Sequence, residues 1–177
     1  LDLVVVTQNA HVQYLAGPRY AWTLQPAAAL SVDGKLTLVA PNKAPDVAAA
    51  DEVLTYEAQW HSTMRNDQRE ASSAVLGHWL SQQSKPDWIG VEYSTFPVFL
   101  SQQVSAEFFD VEPALYRLRR CKDADELALL RKAIEGTARM YEIARELIEP
   151  GVNELHIFNE LQAAAVNEFG EMLTGTG

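Results

Sequence analysis

The segment Ala27-Ala-Ala-Leu-Ser-Val-Asp-Gly-Lys-Leu-Thr-Leu-Val39 carries the clearest fold signal in this sequence. Its two apolar runs, Ala27 to Val32 and Lys35 to Val39, flank the dipeptide Asp33-Gly34. Asp-Gly between apolar runs is typical of a β-hairpin, because both central residues of a type I′ turn need a positive φ angle. The sequence therefore predicts two antiparallel strands joined at Asp33-Gly34.

Strand-like and helical segments alternate on either side of this hairpin. The strand-like runs are short and rich in valine, isoleucine or aromatic residues, and they lie at residues 3–7, 52–56, 88–92 and 108–111. The helical patterns lie at residues 42–50, 67–83 and 96–104. Alternating strands and helices that include a hairpin predict an α/β fold, a three-layer α/β/α sandwich with a mixed sheet.

The pattern becomes purely helical near residue 114, which predicts a division into residues 1–113 and residues 114–177. Asp123-Ala-Asp-Glu126 resembles a capping box, and apolar residues follow it at spacings of three and four as far as Ile148. Asn153 can cap a second helix. Gly136 lies inside the first helix at a cost of about 1 kcal/mol relative to alanine, so we expect close packing there.

The composition excludes several classes of protein. The 177 residues include 14 lysines and arginines against 24 acidic residues, for a net charge of −10, which is unfavourable for binding a nucleic-acid backbone. The single cysteine, Cys121, excludes an internal disulfide framework and a cysteine-rich zinc module. Because no apolar run approaches the roughly 20 residues of a membrane helix, we expect no membrane association and a cytoplasmic location.

The sequence lacks the common catalytic motifs, including His-Glu-x-x-His, Gly-x-Ser-x-Gly and a phosphate-binding glycine loop. The four histidines are scattered, and we interpret each as a surface or structural residue: His11, His61, His78 and His156. The basic run Arg117 to Lys122 could bind an anion. Since acidic residues follow it at once, we interpret it instead as an ion-paired linker.

A loop rich in aromatic residues is the best candidate for a contact surface. Its residues are Arg19, Tyr20, Trp22 and Gln25, and a second, smaller cluster is Trp60 and His61. Aromatic residues and arginine are enriched at the anchor positions of interfaces. The alternative is that Trp22 and Trp60 fill gaps between the sheet and its helices.

Several segments, taken in order, resemble the creatinase/prolidase family. The family's opening strand and its Asn-x-x-x-x-Tyr-Leu-x-Gly turn are similar to Leu3-Val-Val-Val-Thr-Gln-Asn9 with Tyr14-Leu-Ala-Gly17, and its Ile-Gly-x-Glu strand is similar to Ile89-Gly-Val-Glu92. Its basic–acidic junction is similar to Leu118-Arg-Arg-Cys-Lys-Asp-Ala-Asp-Glu126 with Leu130-Arg-Lys-Ala133. Its Pro-Gly turn is similar to Glu149-Pro-Gly151 with Asn153-Glu154. The order and spacing of these motifs extend over nearly the whole chain.

This resemblance implies a complete creatinase-like N-terminal domain, then a linker and the first two helices of a truncated pita-bread metallohydrolase domain. In Xaa-Pro peptidases of the family, that second domain binds two divalent metals, commonly manganese or cobalt, through two Asp, one His and two Glu. A bridging water attacks the scissile carbonyl. The resemblance places those ligands after residue 177. We therefore expect no catalytic residue and no metal ligand in this chain, and no activity from it alone.

The resemblance also implies a homodimer in which the N-terminal domain controls access to the active site. The loop after the Tyr-Leu-x-Gly turn is where such contacts form in the family, and it contains four of the candidate residues here. We expect Arg19, Tyr20, Trp22 and Gln25, with Trp60 and His61 nearby, to contact substrate or the partner subunit.

Three functions remain open from the sequence. The first is a metal-dependent Xaa-Pro dipeptidase or aminopeptidase acting on peptides. The second is a C–N hydrolase that acts on a small amide, similar to creatinase or ectoine hydrolase. The aromatic loop flanked by Pro18 and Pro26 keeps this second function open. The third is a peptidase-like binding module without metal ligands.

Overall fold

The computed structural model describes residues 1–59, 67–170 and 172. The chain forms two compact units, Leu1–Arg119 and Arg120–Gly177. Among the described residues, all strands lie in the first unit. Helix α4, Glu112–Arg120, continues past the predicted boundary at residue 113, and most of it belongs to the first unit.

The first unit is an α/β domain. Its strands are β1 Leu3–Val6, β2 Ala27–Ser31, β3 Leu36–Pro41, β4 Glu52–Tyr56, β5 Trp88–Val91 and β6 Glu107–Asp110. Its helices are α1 Asn9–Ala16, α2 Gln68–Gln82, α3 Val98–Ser101 and α4 Glu112–Arg120. The predicted strands and the predicted helix over residues 67–83 are therefore confirmed, with shifts of one or two residues at their ends.

The six strands form one mixed sheet in the order β4-β3-β2-β1-β5-β6. Strand β2 runs antiparallel to both of its neighbours, whereas the β3–β4, β1–β5 and β5–β6 pairs are parallel. Val5 of the central strand β1 lies opposite Ala29 on one side and Val91 on the other. The mixed sheet predicted from the hairpin is confirmed.

Helices cover both faces of this sheet. On one face, Leu76 of α2 and Leu100 of α3 are fully buried against side chains that include Val5. On the other face, Val12 of α1 is fully buried against a second cluster that includes Leu38. Because each strand alternates its side chains between the two faces, both clusters draw on the same strands. This is the predicted α/β/α sandwich.

The hairpin joins β2 and β3 as predicted, but its turn is of a different type. Gly34 has a φ of +86°, whereas Asp33 is not among the residues with positive φ. The Gly34 amide donates to the Ser31 carbonyl at 3.0 Å, and the Ser31 amide donates to the Lys35 carbonyl at 2.9 Å. This is the three-residue loop in which a tight turn is followed by a left-handed glycine, so the type I′ prediction is wrong.

The helix predicted over residues 42–50 is absent, and this stretch is an irregular loop. Asn42 has a φ of +63°, which is incompatible with a right-handed helix, and Pro45 disfavours helical geometry at the residue before it. The Ala49 amide donates to the Ala16 carbonyl at 2.8 Å instead of to a carbonyl within a helix. Ala48 and Ala50 still pack against the core, which explains their apolar pattern.

Two helices of the first unit were not expected from the sequence. Helix α1 begins two residues after β1, in a stretch for which the sequence patterns predicted no helix. Helix α4 includes Arg117 to Arg120, so the interpretation of that basic run as a linker is wrong for these residues. Its apolar and charged residues alternate with helical periodicity, but no residue of α4 is fully buried.

The second unit contains helices α5 Ala124–Leu147 and α6 Glu154–Phe169. The predicted capping box is present, because Asp123 accepts the Glu126 amide at 2.9 Å and Glu126 accepts the Asp123 amide at 3.1 Å. The predicted cap at Asn153 accepts the Leu155 amide at 2.9 Å. Both helix starts were therefore predicted correctly.

Gly136 of α5 is buried beneath the ring of Phe169 of α6, and a Cβ atom at residue 136 would overlap that ring. The close packing predicted at this glycine is confirmed. The predicted apolar stripe of α5 is largely exposed, and its exposed large side chains are those of Leu127, Leu130, Ile134, Tyr141 and Ile148. Within the described ranges, no helix combines the length and apolar character needed to cross a bilayer.

Candidate functional site

A buried polar cluster lies at the carboxyl ends of the adjacent parallel strands β1 and β5. Glu92 follows β5 directly, and His11 lies in the first turn of α1, which follows β1 after two residues. Both side chains are fully buried, and His11 Nδ1 is hydrogen-bonded to Glu92 Oε1. The ends of neighbouring parallel strands meet at the same sheet edge, which brings together residues that are 81 positions apart.

The second carboxylate oxygen of Glu92 is also saturated. Glu92 Oε2 accepts the amides of Thr7 and Gln8 at 2.6 and 3.0 Å. It also lies 3.2 Å from Thr7 Oγ1 and 3.3 Å from Thr95 Oγ1, and both hydroxyls donate to it. Four donors from two segments therefore surround one buried oxygen, so Glu92 is a structural cross-link between the β1–α1 turn and the segment after β5.

The cluster lies where open α/β sheets often bind ligands. Strand β1 continues into α1 on one face and β5 leads to α3 on the other, and the carboxyl ends of such diverging strands usually form a crevice. Backbone amides at the start of a helix favour an anion in that position. Here Glu92 accepts the amides of the β1–α1 turn, so a side chain of the protein itself takes the position that an anion would occupy.

A second carboxylate, Glu112, extends the cluster to the start of α4. Glu112 Oε1 accepts Gln8 Nε2 at 2.7 Å and Ser94 Oγ at 2.8 Å, and Glu112 Oε2 accepts the Ser94 amide at 3.3 Å. Tyr116, one turn later, meets the imidazole of His11 edge to face, with ring centroids 5.1 Å apart. Gln8 and Ser94 thus connect the sheet edge to the first turn of α4.

The described residues do not provide a metal centre. Within residues 1–59, 67–170 and 172, no three or more His, Cys, Asp or Glu side chains are grouped so that they could bind a metal ion. We therefore assign no metal ligand and no metal-dependent step to these residues. His78 and His156 are exposed, and Cys121 is exposed and free of disulfide bonding.

The predicted contact loop is anchored at two points. Tyr20 is half-buried against the core face that includes Val12, and burial raises the pKa of its phenol. The Gln25 amide donates to the hydroxyl of Tyr56 at 3.0 Å, and Tyr56 belongs to the opposite core cluster. Tyr20 and the Gln25 backbone therefore fix the loop to the domain, and the predicted contact role of these two residues stays a prediction.

Between these anchors the loop turns sharply and exposes one large side chain. The Leu24 amide donates to the Ala21 carbonyl at 2.9 Å, and Asn9 Nδ2 donates to the same carbonyl at 3.3 Å. Trp22 follows Ala21 and is 85% exposed, so it does not fill a gap between sheet and helices. Arg19 is also exposed. Trp60 and His61 lie outside the described residues, and their predicted role stays a prediction.

Sequence reasoning missed the residues of the buried cluster, namely Gln8, Glu92, Glu112 and the structural pairing of His11. A signal was present for two of them. Glu92 is an acidic residue that ends a buried apolar strand, and a charge in that position needs partners. His11 follows another buried strand, and pairing of the two strands would have predicted the contact.

The first unit matches the model of a known protein family. The model of the creatinase/prolidase N-terminal domain matches residues 1–121. The chain belongs to this family. The family sequence motifs at Tyr14-Leu-Ala-Gly17 and Ile89-Gly-Val-Glu92 are therefore the end of α1 and strand β5 with its buried glutamate.

Solved structures share this fold. The creatinase/prolidase chain superimposes on the prolidase from Pyrococcus furiosus with a TM-score of 0.68 and 16% identity, covering 95% of this chain and 46% of that one. The values for the X-Pro aminopeptidase from Thermotoga maritima MSB8 are 0.68 and 17%, with 95% and 47% covered. At these identities the likeness shows the fold alone.

A shorter solved structure matches a smaller share of this chain. A proline dipeptidase chain from Streptococcus pneumoniae matches with a TM-score of 0.52 and 20% identity, covering 69% of this chain and 89% of that one. This chain thus spans less than half of the prolidase and the aminopeptidase that it matches. A comparison with curated proteins found no significant match.

Proposed function

We propose that this chain is the N-terminal part of a metal-dependent Xaa-Pro dipeptidase or aminopeptidase. The observation that carries the proposal is the match of residues 1–121 to the creatinase/prolidase N-terminal domain. The similarity of the fold to a prolidase and an X-Pro aminopeptidase supports it. The peptide substrate, the two divalent metals, manganese or cobalt, and a cytoplasmic location belong to this proposal.

In this proposal the first unit serves dimerisation and control of substrate access, and its contact element is the Trp22 loop. The two anchors at Tyr20 and Gln25 hold the backbone in place, so little conformational entropy is lost when the exposed indole becomes buried. Tryptophan is among the residues that contribute most to interfaces. The partner is a second copy of the same chain.

The enzymatic part is tested on the protein translated from the complete open reading frame that contains this sequence. With manganese added, we expect release of free proline from Xaa-Pro dipeptides. Turnover of guanidino or N-acetyl substrates without proline release would indicate that the protein is a C–N hydrolase and not a peptidase. No turnover of either class would favour a binding module. The 177-residue chain alone should release no proline, and metal-dependent turnover by it would contradict our assignment.

The contact role of the loop is tested with Trp22→Ala and a matched control. Val47→Ala is the control, because Val47 lies in the same unit and is also 85% exposed. We expect the tryptophan variant to raise the dimer dissociation constant about tenfold or more, as hot-spot truncations do, and the valine variant to leave it unchanged. Sedimentation velocity measures both. Equal dissociation constants for the two variants would exclude Trp22 as a dimer contact while leaving the peptidase assignment untouched.

A further inference from the structure

Helix α4 is held on the first unit mainly through polar contacts. None of its residues is fully buried, and Leu115 is only partly buried against the core face that includes Val12. Tyr116 adds the edge contact to His11, and its hydroxyl lies 3.4 Å from Gln8 Oε1, to which it donates. A helix attached in this way can separate from a sheet at lower free-energy cost than one with a buried face.

The strongest of these contacts converge on Glu112, in the first turn of α4. Gln8 Nε2 and Ser94 Oγ donate to it at 2.7 and 2.8 Å, and the Ser94 amide donates at 3.3 Å. These donors come from the segments after β1 and after β5, so one carboxylate joins α4 to two central strands. Hydrogen bonds to an ionised acceptor are roughly twice as strong as those between neutral groups.

We propose that Glu112 is an acid-sensitive latch: its ionised carboxylate holds α4 on the sheet edge, and protonation releases α4 while the sheet and the other helices of the first unit stay folded. The latch is a property of the first unit alone. It concerns the last helix of that unit and is independent of the proposed peptidase activity.

The other ionisable groups around Glu112 are arranged so that they support this assignment. His11 lies on α1, and its Nδ1 is already bound to Glu92, which follows β5. Asp110, at the end of β6, accepts the backbone amide of Glu112 at 3.0 Å. The Tyr116 hydroxyl donates to Gln8. Among these groups, Glu112 is therefore the carboxylate that joins α4 to other strands. Its side-chain donors, Gln8 and Ser94, lie in the segments after β1 and after β5.

The direction of the pKa shift agrees with the geometry. Partial burial raises the pKa of Glu112, but the hydrogen bonds from Ser94 and Gln8 and the nearby charge of His11 outweigh it and bring it below the ordinary value of 4.5. A carboxyl whose pKa is lower in the folded state stabilises the fold above its unfolded value and loses that contribution as the pH falls through its folded value. Release therefore occurs on the acid side of 4.5.

Amide hydrogen exchange on the 177-residue chain tests the latch. Peptides from residues 112–120 should lose protection as the pH is lowered from neutral to below 4.5, after correction for the intrinsic exchange rate. Peptides from α2 and from β1 should keep theirs. Simultaneous loss of protection in α2, β1 and α4 would mean global unfolding and would overturn the latch, as would unchanged protection in α4.

Substitution at neutral pH separates Glu112 from the other carboxylates. In Glu112→Gln, protection of residues 112–120 should fall about tenfold or more, because three hydrogen bonds lose their charged acceptor. The control is Glu107→Gln, an exposed glutamate on the neighbouring strand β6, which should leave α4 unchanged. Ser94→Ala keeps the carboxylate and two of its three donors, the side-chain amide of Gln8 and the backbone amide of residue 94. It should therefore give an intermediate loss and move the acid release toward higher pH. Equal protection in all three variants would overturn the proposal.

Discussion

His11 and Glu92 are joined by a hydrogen bond between two fully buried side chains, one on the first helix and the other at the end of the fifth strand. Each is ionisable, and each lies in a place from which water is excluded. The pair links the segments that follow β1 and β5, the two paired strands at the centre of the sheet.

His11→Ala should lower the free energy of unfolding by about 3 kcal/mol, since it leaves the buried Glu92 Oε1 without its hydrogen-bond partner. Urea denaturation of the 177-residue chain measures this loss. The matched control is His78→Ala, because His78 is an exposed histidine of the same unit, and surface substitutions usually change stability by less than about 0.5 kcal/mol. Similar losses in both variants would show that the buried pair contributes no stability.

Gly90→Ala should destabilise the first unit by about 1 to 3 kcal/mol, because the new methyl group would lie 2.5 Å from Val111 Cγ1 and 3.2 Å from Leu1 Cδ1. Gly77→Ala is the comparison. There the methyl group would meet the flexible tip of Gln103, which can move aside, and alanine improves helix propensity. Thermal unfolding should show a lower midpoint for the first variant than for the second, and the reverse order would contradict the role given to Val111.

Gly136→Ala should weaken the packing of α5 against α6, because its methyl group would overlap the ring of Phe169. We expect a loss of about 1 to 3 kcal/mol, reduced by the better helix propensity of alanine. Adding Phe169→Ala removes the overlap, so the double variant should be more stable than the sum of the single changes predicts. Helical circular dichroism against temperature measures each variant. Strict additivity would mean that the two residues do not interact.

Asp2→Asn should reduce the acid sensitivity of the first unit. Hydrogen bonds from the backbone amides of Trp88 and Asp87, at 3.0 and 2.9 Å, hold the pKa of Asp2 below its ordinary value of 3.8. Asp2 thus stabilises the fold above that value and ceases to do so as the pH falls below it. The variant should lose less stability than the parent on acidification, measured by urea midpoints at several pH values. Asp46→Asn, at an exposed loop position, serves as the control and should follow the parent.

The parts of the fold that local patterns determine could be predicted from the sequence. Asp33-Gly34 predicted the hairpin, and Asp123 with Glu126 predicted the start of α5. Both predictions succeeded because the residues that form a turn or a cap are neighbours in sequence. The predicted turn type at Gly34 was wrong, because the type of turn does not depend on neighbouring residues alone. Two- and three-residue loops share the Asp-Gly signal, and the strand register, which involves the whole hairpin, decides between them.

The parts that depend on distant contacts could not be predicted from local patterns. The alanines at 48 and 50 suggested a helix, but they pack from an irregular loop whose amides bind carbonyls elsewhere in the first unit. Glu92 looked like the end of a strand, and its partners are Thr7, Gln8 and His11, far away in sequence. Only the pairing of β1 with β5 makes them neighbours.

The candidate contact loop shows the same division. Its position after the turn at Gly17 and its aromatic content could be recognised in the sequence, but not which side chain would be exposed. Tyr20 and Trp22 are both large aromatic residues, two positions apart, and one is half-buried while the other is 85% exposed. The difference follows from the turn at Ala21, whose carbonyl is held by Leu24 and Asn9.

The carboxylate of Glu92 also limits how this domain can change in evolution. The crevice at the ends of β1 and β5 is already filled from within, so a small anion could enter only after loss of the glutamate and the stability that comes with it. Variation in loops such as the one bearing Trp22 carries no such cost. New specificity in this domain should therefore arise on its loops, while the sheet edge stays constant.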